Sequence, residues 1–346
     1  MQQVVVYGPN DVRVVEAPDP APGPDDVVVK VAACGVCGSD AHYVAMGGLP
    51  IPGGGPMPLG HEISGVVAAV GSAVRSAKVG QRVAVRAPAG PQNRIGNGGP
   101  GGLAQYLLVR GVTRPAVELD GGALETYLYP LPDSLSLAHG ALVEPLGVGM
   151  HAVGRAEPRP GEKAVVFGAG PIGLASIASL RWRGIDDIVA VDLSDARLEI
   201  AERLGARTVV NARSSPWERI GAALGRETVH GLPAVGADFY VETTGAASVM
   251  REIFDHARFG ARVVVVAIYE RDLSLPFLQI MAKELVVRGS MAVGHEFPSV
   301  IEMLASGRVD VSPMLTHRFP FARVLDALEA ARRPEAGGKV MVTFDA

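Results

Sequence analysis

The feature that most constrains the fold of this 346-residue chain is a glycine-rich turn between an apolar run and an apolar helical segment. The turn is Gly168-Ala169-Gly170-Pro171-Ile172-Gly173, and it lies between residues 163–167 and 174–180. Glycines at these positions let the backbone turn tightly and approach a pyrophosphate, whose charge then lies at the helix N-terminus. A glycine pattern alone is a weak signal, because it also occurs where a helix simply packs on a strand.

An acidic residue follows the turn at the distance typical of dinucleotide-binding sites. Asp192 follows the predicted second strand, residues 188–191, nineteen positions after Gly173. A carboxylate there accepts hydrogen bonds from an adenosine ribose and repels a 2′-phosphate, so it favours NAD over NADP. Arg197 moderates that preference, because a guanidinium can stack on adenine or meet a phosphate. Strand, glycines, helix and acid together predict a dinucleotide site.

Around this turn, short apolar strands alternate with segments of helical period. We predict helices at 196–204 and 247–257, and strands at 164–167, 188–191, 208–211, 237–242, 262–268 and 285–288. Alternation of this kind is typical of parallel βαβ units, and six strands make a doubly wound, Rossmann-type sheet.

The preceding part of the chain has a different pattern of apolar runs and turns. Short β-branched runs at 27–32, 63–70 and 82–86 are separated by turns rich in Pro and Gly, which is typical of an antiparallel, barrel-like domain. A helix-like stretch at 298–306 and a strand at 339–344 indicate a return to this first domain. We therefore expect a β-rich domain at 1–156, completed by 290–346, and a nucleotide-binding domain at 157–289.

Charge and hydropathy exclude several classes of partner. The formal net charge of −4 gives no field that would gather nucleic acid or anionic lipid. No basic segment followed by an apolar stretch opens the chain, and the longest apolar run, 263–269, is too short to span a bilayer. We expect a cytoplasmic protein with a small-molecule substrate and no nucleic-acid or membrane partner.

Two cysteines, Cys34 and Cys37, need a local explanation, because no disulfide framework can span the chain. Redox, metal and packing roles are all open. As a Cys-x-x-Cys redox pair they would lack a thioredoxin-like helix start, since Gly38-Ser39-Asp40 follows them.

Potential metal ligands lie in three short segments: Cys37, then His61 and Glu62, then Glu144. A thiolate, an imidazole and a carboxylate are what a catalytic zinc with one open position uses. A second bound carboxylate would make the site anionic and raise the pKa of a bound alcohol. We therefore expect Glu62 and Glu144 to exchange at the metal.

Taken alone, His61 is better interpreted as a hydrogen-bonded core histidine than as a metal ligand. A second Gly-His-Glu tripeptide, Gly294-His295-Glu296, shows how little the tripeptide means by itself. It precedes an amphipathic stretch, and we interpret it as a helix start without a metal.

Over nearly its whole length the chain resembles the zinc-dependent medium-chain dehydrogenases, in the branch that holds sorbitol, threonine and 2,3-butanediol dehydrogenases. The resemblance rests on the glycine run before Asp192 and on the segments at 37–42 (CGSDAH), 60–62 (GHE) and 144–149 (EPLGVG). It implies a GroES-like catalytic domain beside the Rossmann domain, an α/β fold overall. It also implies that Cys37 and His61 bind a catalytic zinc, that Glu62 and Glu144 complete or flank it, and that Asp40 orients the histidine.

The resemblance further implies a mechanism. Zinc would bind the alcohol oxygen while nicotinamide accepts the hydride, and Ser39 and His42 would carry the proton away. Alternatively, Ser39 caps a local turn and His42 is a surface imidazole. Tyr43 and Glu144 would face the substrate, and the cofactor site would include Thr243, Val265 and Ala267.

The chain departs from that family in three places. No cysteine follows Cys37, so the four-cysteine structural zinc is excluded, and the glycine-rich segment 89–102 stands in its place as an expected flexible surface loop. Segment 110–126 looks longer than usual and could reshape the substrate cleft or a subunit contact. Finally, no basic residue stands at Met291 or Ala292, where polyol dehydrogenases tend to carry an arginine.

These observations predict an NAD-dependent dehydrogenase with one zinc per chain, interconverting a secondary alcohol or vicinal diol with its ketone. A polyol or amino-alcohol dehydrogenase is the nearest alternative, and a non-catalytic zinc- and NAD-binding protein is the alternative from another class. By analogy, we expect a homo-dimer or homo-tetramer that associates near residues 285–290 or 272–276.

Overall fold

The computed structural model describes residues 1–49, 55–87, 94–113, 116–117, 123–124, 126–269, 271–333 and 337–344. By contacts among Cα atoms, the chain divides into two compact units. The first comprises Met1–Glu144, Phe297–Ala305 and Leu315–Ala346, and the second comprises Pro145–Glu296 and Ser306–Met314. Within the described residues, no helix is long and apolar enough to cross a membrane.

Strands and helices alternate unevenly along the chain. The strands are β1 (Gln2–Gly8), β2 (Asp11–Glu16), β3 (Val27–Gly35), β4 (Met57–Pro58), β5 (Glu62–Val70), β6 (Arg82–Val85), β7 (Tyr106–Val109), β8 (Ala116–Val117), β9 (Ala123–Leu124), β10 (Leu128–Pro130), β11 (Lys163–Phe167), β12 (Asp187–Asp192), β13 (Thr208–Asn211), β14 (Arg226–Val229), β15 (Leu232–Val235), β16 (Phe239–Glu242), β17 (Arg262–Val265), β18 (Val286–Gly289), β19 (Leu315–Pro320) and β20 (Lys339–Thr343). The helices are α1 (Gly38–Met46), α2 (Leu137–Gly140), α3 (Val143–Arg155), α4 (Pro171–Trp182), α5 (Asp195–Arg203), α6 (Pro216–Leu224), α7 (Ala247–His256), α8 (Phe277–Ala282), α9 (Phe297–Ser306) and α10 (Val324–Ala331).

The main sheet of the first unit has the order β10-β6-β5-β3-β20-β19, and β7 also pairs with β3. All of these pairings are antiparallel except that of β19 with β20. Val27, Val29 and Val31 of β3 lie in the core that this sheet encloses. The predicted antiparallel, β-rich first part and its completion by the last strand are confirmed.

The second unit contains a six-stranded parallel sheet with the order β13-β12-β11-β16-β17-β18. The strand order reverses between β11 and β16, and in such sheets ligands bind in the crevice at the carboxyl ends of the strands next to that point. All six predicted strands are present, so the doubly wound sheet is confirmed.

Two details of the second unit differ from the prediction. β17 ends at Val265 instead of residue 268, because the backbone N–H groups of Val266 and Ala267 both turn to the carbonyl oxygen of Glu242. β14 and β15 form a hairpin that the sequence analysis missed. Its turn, His230-Gly231, has positive φ at both residues but lacks the Asn-Gly or Asp-Gly pair that usually signals such a turn.

The expected surface loop at 89–102 is wrong for its described part, residues 94–102. Ile95 is fully buried, and the backbone of Gly101 packs against that of Leu59 so closely that a Cβ there would lie 2.2 Å from a carbonyl oxygen. The glycines that suggested mobility instead permit close backbone contact. Residues 88–93 lie outside the described residues, as does much of segment 110–126, where β8 pairs with β9.

Candidate metal centre and dinucleotide turn

The metal centre begins where β3 passes into α1. Cys37 is the N-cap of α1, and the Asp40 carboxylate accepts a hydrogen bond of 2.8 Å from the Cys37 backbone N–H. Asp40 is fully buried. This capping box fixes the Cys37 side chain at the N-terminus of α1.

Antiparallel pairing of β3 with β5 brings the next two ligands to the thiol. Glu62 lies directly opposite Gly35, two residues before Cys37. Ligand atoms of Cys37, His61 and Glu62 all lie within 4.8 Å of one another. In the part of the chain that the structure describes, no other group of three metal-ligating side chains is found.

His61 is surrounded by acidic groups. Burial lowers the pKa of His61, but Cys37, Asp40 and Glu144 together raise it well above its ordinary value. Its Nδ1 lies 3.7 Å from Asp40 Oδ1, which is longer than a hydrogen bond. Asp40 therefore acts on the imidazole here through charge, and an excess of negative groups around one point favours a bound cation.

Lys339, the first residue of β20, is the partner of Glu62. Its Nζ donates to Glu62 Oε1 at 2.5 Å and to the Val36 carbonyl at 3.2 Å, and both charged side chains are fully buried. Burial lowers the pKa of Lys339, but Glu62 and Cys37 raise it above its ordinary value. The sequence analysis missed this residue, although a lysine opening a buried apolar strand was a signal that it needed an acidic partner.

The donor set fits a zinc ion. His61 Nδ1 and Glu62 Oε2 are buried and have no hydrogen-bond partner among the described residues. Buried polar atoms without partners are rare, and a metal is one of the groups that can satisfy them. Sulfur, nitrogen and oxygen donors gathered at one point are the combination found in catalytic zinc sites.

Glu144 lies near this centre without belonging to the group of three. Burial raises the pKa of Glu144 to about 7, with His61 opposing and Glu62 reinforcing that change. Burial is the largest cause, so the Glu144 carboxyl is protonated more readily than an exposed one. Its role as a ligand, and its exchange with Glu62, stay predictions.

The two cysteines have different surroundings. Cys34 is free, fully buried and packed in the core of the first unit, and burial raises the pKa of its thiol. Cys37 is half-buried at the metal centre. Packing thus explains Cys34, and proximity to the other ligands explains Cys37.

The predicted relay residues lie on α1. Ser39 lies one helical turn before Tyr43, whose hydroxyl donates to Asn97 Oδ1 at 2.7 Å. The rings of His42 and Tyr43 are 6.4 Å apart. Asn97 was not among the predicted site residues, because its segment has no periodicity that would place it.

Two glycines of the dinucleotide turn of the second unit, Gly168 and Gly173, could not be replaced without strain. Gly168 has φ +90°, and a Cβ on Gly173 would lie 1.8 Å from the Gly168 carbonyl oxygen. Thr243 Oγ1 donates to the carbonyls of Phe167 and Gly168, at 2.8 and 3.0 Å. Thr243, which is one of the predicted cofactor-site residues and directly follows β16, is therefore hydrogen-bonded to the turn.

The N-terminus of α4 and the end of β12 meet at this turn. Gly170 is the N-cap without a side-chain cap, Pro171 opens the helix, and half-buried Ile172 follows it. Asp192 accepts hydrogen bonds from the N–H groups of Ala169 and Ser194, at 2.7 and 2.8 Å.

Two more parts of the predicted cofactor site lie at the same edge of the second unit. The Arg197 guanidinium approaches to 4.0 Å from the position that a Cβ on Gly170 would take. Val265 ends β17, and Ala267 follows it in the segment that turns toward Glu242. These positions surround the turn or the carboxyl edge of the sheet, where a dinucleotide binds in this class of fold.

Comparison with known proteins agrees with this architecture. Residues 23–118 match the family model of the alcohol dehydrogenase GroES-like domain, and residues 171–306 match that of the zinc-binding dehydrogenases. Sorbitol dehydrogenase from Bos taurus is 34% identical over 355 residues, covering 99% of this chain and 96% of the relative.

Solved structures give the same result. The 2R,3R-butanediol dehydrogenase of Bacillus subtilis has a TM-score of 0.83 and 30% identity, with 99% of each chain covered. An Escherichia coli protein described as a short chain alcohol dehydrogenase, complexed with NADH, has a TM-score of 0.85 and 26% identity, again with 99% of each chain covered.

Fold and site together define a dehydrogenase built from a GroES-like unit and a Rossmann-type unit. The chain belongs to the zinc-binding alcohol dehydrogenase family, the medium-chain dehydrogenases. It is an oxidoreductase of the alcohol and polyol dehydrogenase class.

Proposed function

We propose that this chain is an NAD-dependent dehydrogenase with one catalytic zinc, which interconverts a secondary alcohol or vicinal diol with its ketone. The observation that carries the proposal is the convergence of Cys37, His61 and Glu62, with two of their buried polar atoms lacking partners among the described residues. A polyol or amino-alcohol substrate is the alternative within the same chemistry.

Cys37, His61 and Glu62 would hold the zinc, with Glu144 beside them. Zinc bound there would supply a Lewis acid that stabilises an alcohol oxygen as it loses its proton. Lys339 holds one carboxylate oxygen of Glu62, and the other, Oε2, has no hydrogen-bond partner among the described residues.

NAD is the proposed cofactor, because Asp192 places a carboxylate at the end of β12, where a 2′-phosphate would be repelled. The Escherichia coli relative solved with NADH supports the same choice. Gly168, Gly170 and Gly173 would receive the pyrophosphate at the N-terminus of α4.

Ser39 and His42 are proposed to carry the substrate proton away from the metal centre. Their common position on the first two turns of α1, directly after Cys37, supports this role. Replacing Ser39 by Ala should lower turnover well beyond any change in cofactor affinity, and unchanged turnover would remove Ser39 from the mechanism.

A secondary alcohol or vicinal diol is favoured over a sugar polyol, because Met291 and Ala292 stand where polyol dehydrogenases tend to carry an arginine. Met291 is 73% exposed. The names of the relatives, sorbitol and 2R,3R-butanediol dehydrogenase, cover both substrate types.

We also propose that the chain forms a homo-dimer or homo-tetramer through the edge of the parallel sheet. β18 is the last strand of that sheet, its Val286 and Val287 are each 38% exposed, and α8 presents Phe277 and Met281 to solvent. Replacing Val287 by Glu should yield a smaller species in size-exclusion chromatography with light scattering.

Two further expectations stay predictions. They are the domain bounds, 1–156 with 290–346 and 157–289, and a cytoplasmic location.

The decisive experiment screens NAD⁺ and NADP⁺ against secondary alcohols, vicinal diols, sugar polyols and threonine, with zinc quantified per chain. Activity with NAD⁺ that disappears on chelation and returns with zinc is the expected result. A zinc-loaded protein that binds NADH but turns over none of these substrates would favour the non-catalytic alternative. Two zinc ions per chain would contradict the single-zinc proposal.

A further inference from the structure

Segment 94–102, which the sequence analysis took for a loop, is built onto the metal centre of the first unit. A Cβ on Gly96 would lie 2.4 Å from the Gly60 carbonyl oxygen, and the Gly102 N–H donates to that same oxygen at 2.8 Å. Gly60 directly precedes His61. The segment is therefore fixed against the backbone that presents a metal ligand.

Asn97 is the residue that this segment directs toward α1. Its Oδ1 accepts the Tyr43 hydroxyl at 2.7 Å, and its Nδ2 donates to the Ile95 carbonyl at 3.2 Å. Because the Nδ2 group must face a carbonyl and Oδ1 must face a donor, both contacts favour the same amide orientation. Asn97 thus presents an acceptor, and not a donor, to Tyr43.

A phenol has a single proton, so this contact decides what else Tyr43 can do. With its O–H committed to Asn97, the Tyr43 oxygen can only accept from further partners. Ser39 lies one helical turn before Tyr43 on α1, and a phenolic oxygen can accept from more than one hydroxyl.

We propose that Asn97 is a positioning residue that fixes the Tyr43 hydroxyl as a hydrogen-bond acceptor for a second hydroxyl of the substrate, which favours vicinal diols over simple alcohols. The proposal rests on the proposed function, because it takes Tyr43 to face the substrate. It assigns a role in substrate selection to the segment that replaces the structural-zinc lobe of related enzymes.

The test uses the zinc-loaded full chain and a double-mutant cycle of Asn97→Leu and Tyr43→Phe. The substrates are 2,3-butanediol and 2-butanol, which share a carbon skeleton and differ by one hydroxyl. We expect Asn97→Leu to lower kcat/KM for the diol about three- to tenfold, the size of one hydrogen bond, and to change that for 2-butanol less than twofold. In the Tyr43→Phe background, Asn97→Leu should have no further effect.

Two controls separate positioning from general damage. Zinc per chain should be unchanged in Asn97→Leu, and its Tm should fall only as far as the loss of two hydrogen bonds requires. Asn97→Asp should retain part of the diol activity, because one carboxylate oxygen still accepts from the phenol while the other faces the Ile95 carbonyl. Equal losses for diol and monoalcohol, or a loss of the same size in the Tyr43→Phe background, would overturn the proposal.

A readout without turnover keeps the inference distinct from the proposed function. The Raman Fermi doublet of tyrosine reports whether a phenol donates or accepts hydrogen bonds, and the difference between parent and Tyr43→Phe spectra isolates Tyr43. We expect a donor signature that is lost in Asn97→Leu. An unchanged doublet overturns the inference even in an active enzyme, whereas a changed doublet in a protein inactive on every alcohol overturns the proposed function alone.

Discussion

The same tripeptide, Gly-His-Glu, occurs in both units of the molecule with opposite outcomes. At 60–62 it opens β5, where His61 and Glu62 are buried beside Cys37 and Lys339. At 294–296 it precedes α9, where His295 is exposed and Glu296 contacts His151 Nδ1 at 2.8 Å. Three identical residues thus form a candidate metal centre or precede a helix, depending on which strands and charges surround them.

The largest difference in zinc content and kcat/KM is expected between variants of His61 and variants of His295. Loss of groups that only orient metal ligands costs about 10–100-fold in affinity or activity, so His61→Ala, which removes a direct ligand, should cost more. His295→Ala is the matched control and should leave zinc content and kcat/KM unchanged. Metal analysis and steady-state kinetics decide the matter, and a His61→Ala protein that retains its zinc would refute the assignment.

The next largest difference is expected in the free energy of unfolding, between variants of Glu62 and variants of Glu296. Glu62→Gln removes the carboxylate that is hydrogen-bonded to the buried Lys339 ammonium, which costs about 3–5 kcal/mol of the free energy of unfolding. Glu296→Gln keeps a hydrogen-bonding group beside His151 and should cost less than about 1 kcal/mol. Urea denaturation of the zinc-loaded proteins measures both values.

A second variant separates the buried charge from the loss of metal. Glu62→Gln combined with Lys339→Met removes both partners and should recover much of the lost stability, because no unpaired buried charge is left. If the double variant is as unstable as Glu62→Gln alone, the unpaired lysine is not the cause.

The glycines beside the two glutamates offer a smaller contrast. A Cβ on Gly35 would lie 2.0 Å from Glu62 Oε2, whereas a Cβ on Gly294 would lie 3.1 Å from Glu296 Oε2. Gly35→Ala should therefore displace the Glu62 carboxylate, weaken zinc binding and cost about 1–3 kcal/mol. Gly294→Ala should have little effect in competition titrations with a zinc chelator, and equal zinc affinities in the two variants would show that Glu62 does not bind the metal.

His256 should give the smallest effect and shows how burial acts on a histidine that is not in a metal cluster. Burial lowers the pKa of His256, whereas at His61 the neighbouring acidic groups outweigh burial and raise the pKa. The folded state therefore favours neutral His256, and stability is highest above the unfolded-state pKa of about 6.5 and falls as the pH drops through it.

The stacking of His256 on Trp217, with ring centroids 4.5 Å apart, provides the signal for that measurement. Unfolding monitored by tryptophan fluorescence between neutral and mildly acidic pH should show a shallower acid loss in His256→Gln than in the parent. Parallel pH profiles for the two proteins would show that His256 does not contribute.

Much of the second unit could be predicted because its signals are local. The glycine turn, the strand before it, the helix after it and the acid at 192 lie within thirty residues, and period and turn chemistry place each of them. The errors were the end of β17 and the hairpin of β14 with β15. The end of β17 depends on the distant carbonyl of Glu242, whereas the His230-Gly231 turn of the hairpin lacks the residue pair that usually signals such a turn.

The candidate metal centre, in contrast, depends mainly on contacts between residues far apart in the sequence. The sequence supplied the ligand types Cys37, His61 and Glu62, but the family resemblance was needed to select them over a core histidine or a redox pair. Lys339 and Asn97 escaped prediction altogether. Lys339 is 277 residues from Glu62 and Asn97 is 54 residues from Tyr43, so only the sheet pairing and the packing of segment 94–102 bring them together.

By itself, the sequence determined that this chain forms a β-rich unit and a parallel nucleotide-binding sheet, because hydrophobic period and glycine positions act within a few residues. Only the tertiary structure decided which Gly-His-Glu becomes a metal centre, which lysine neutralises its glutamate, and what holds Tyr43. Those outcomes depend on burial and charge contributed by distant strands, and no local pattern specifies them.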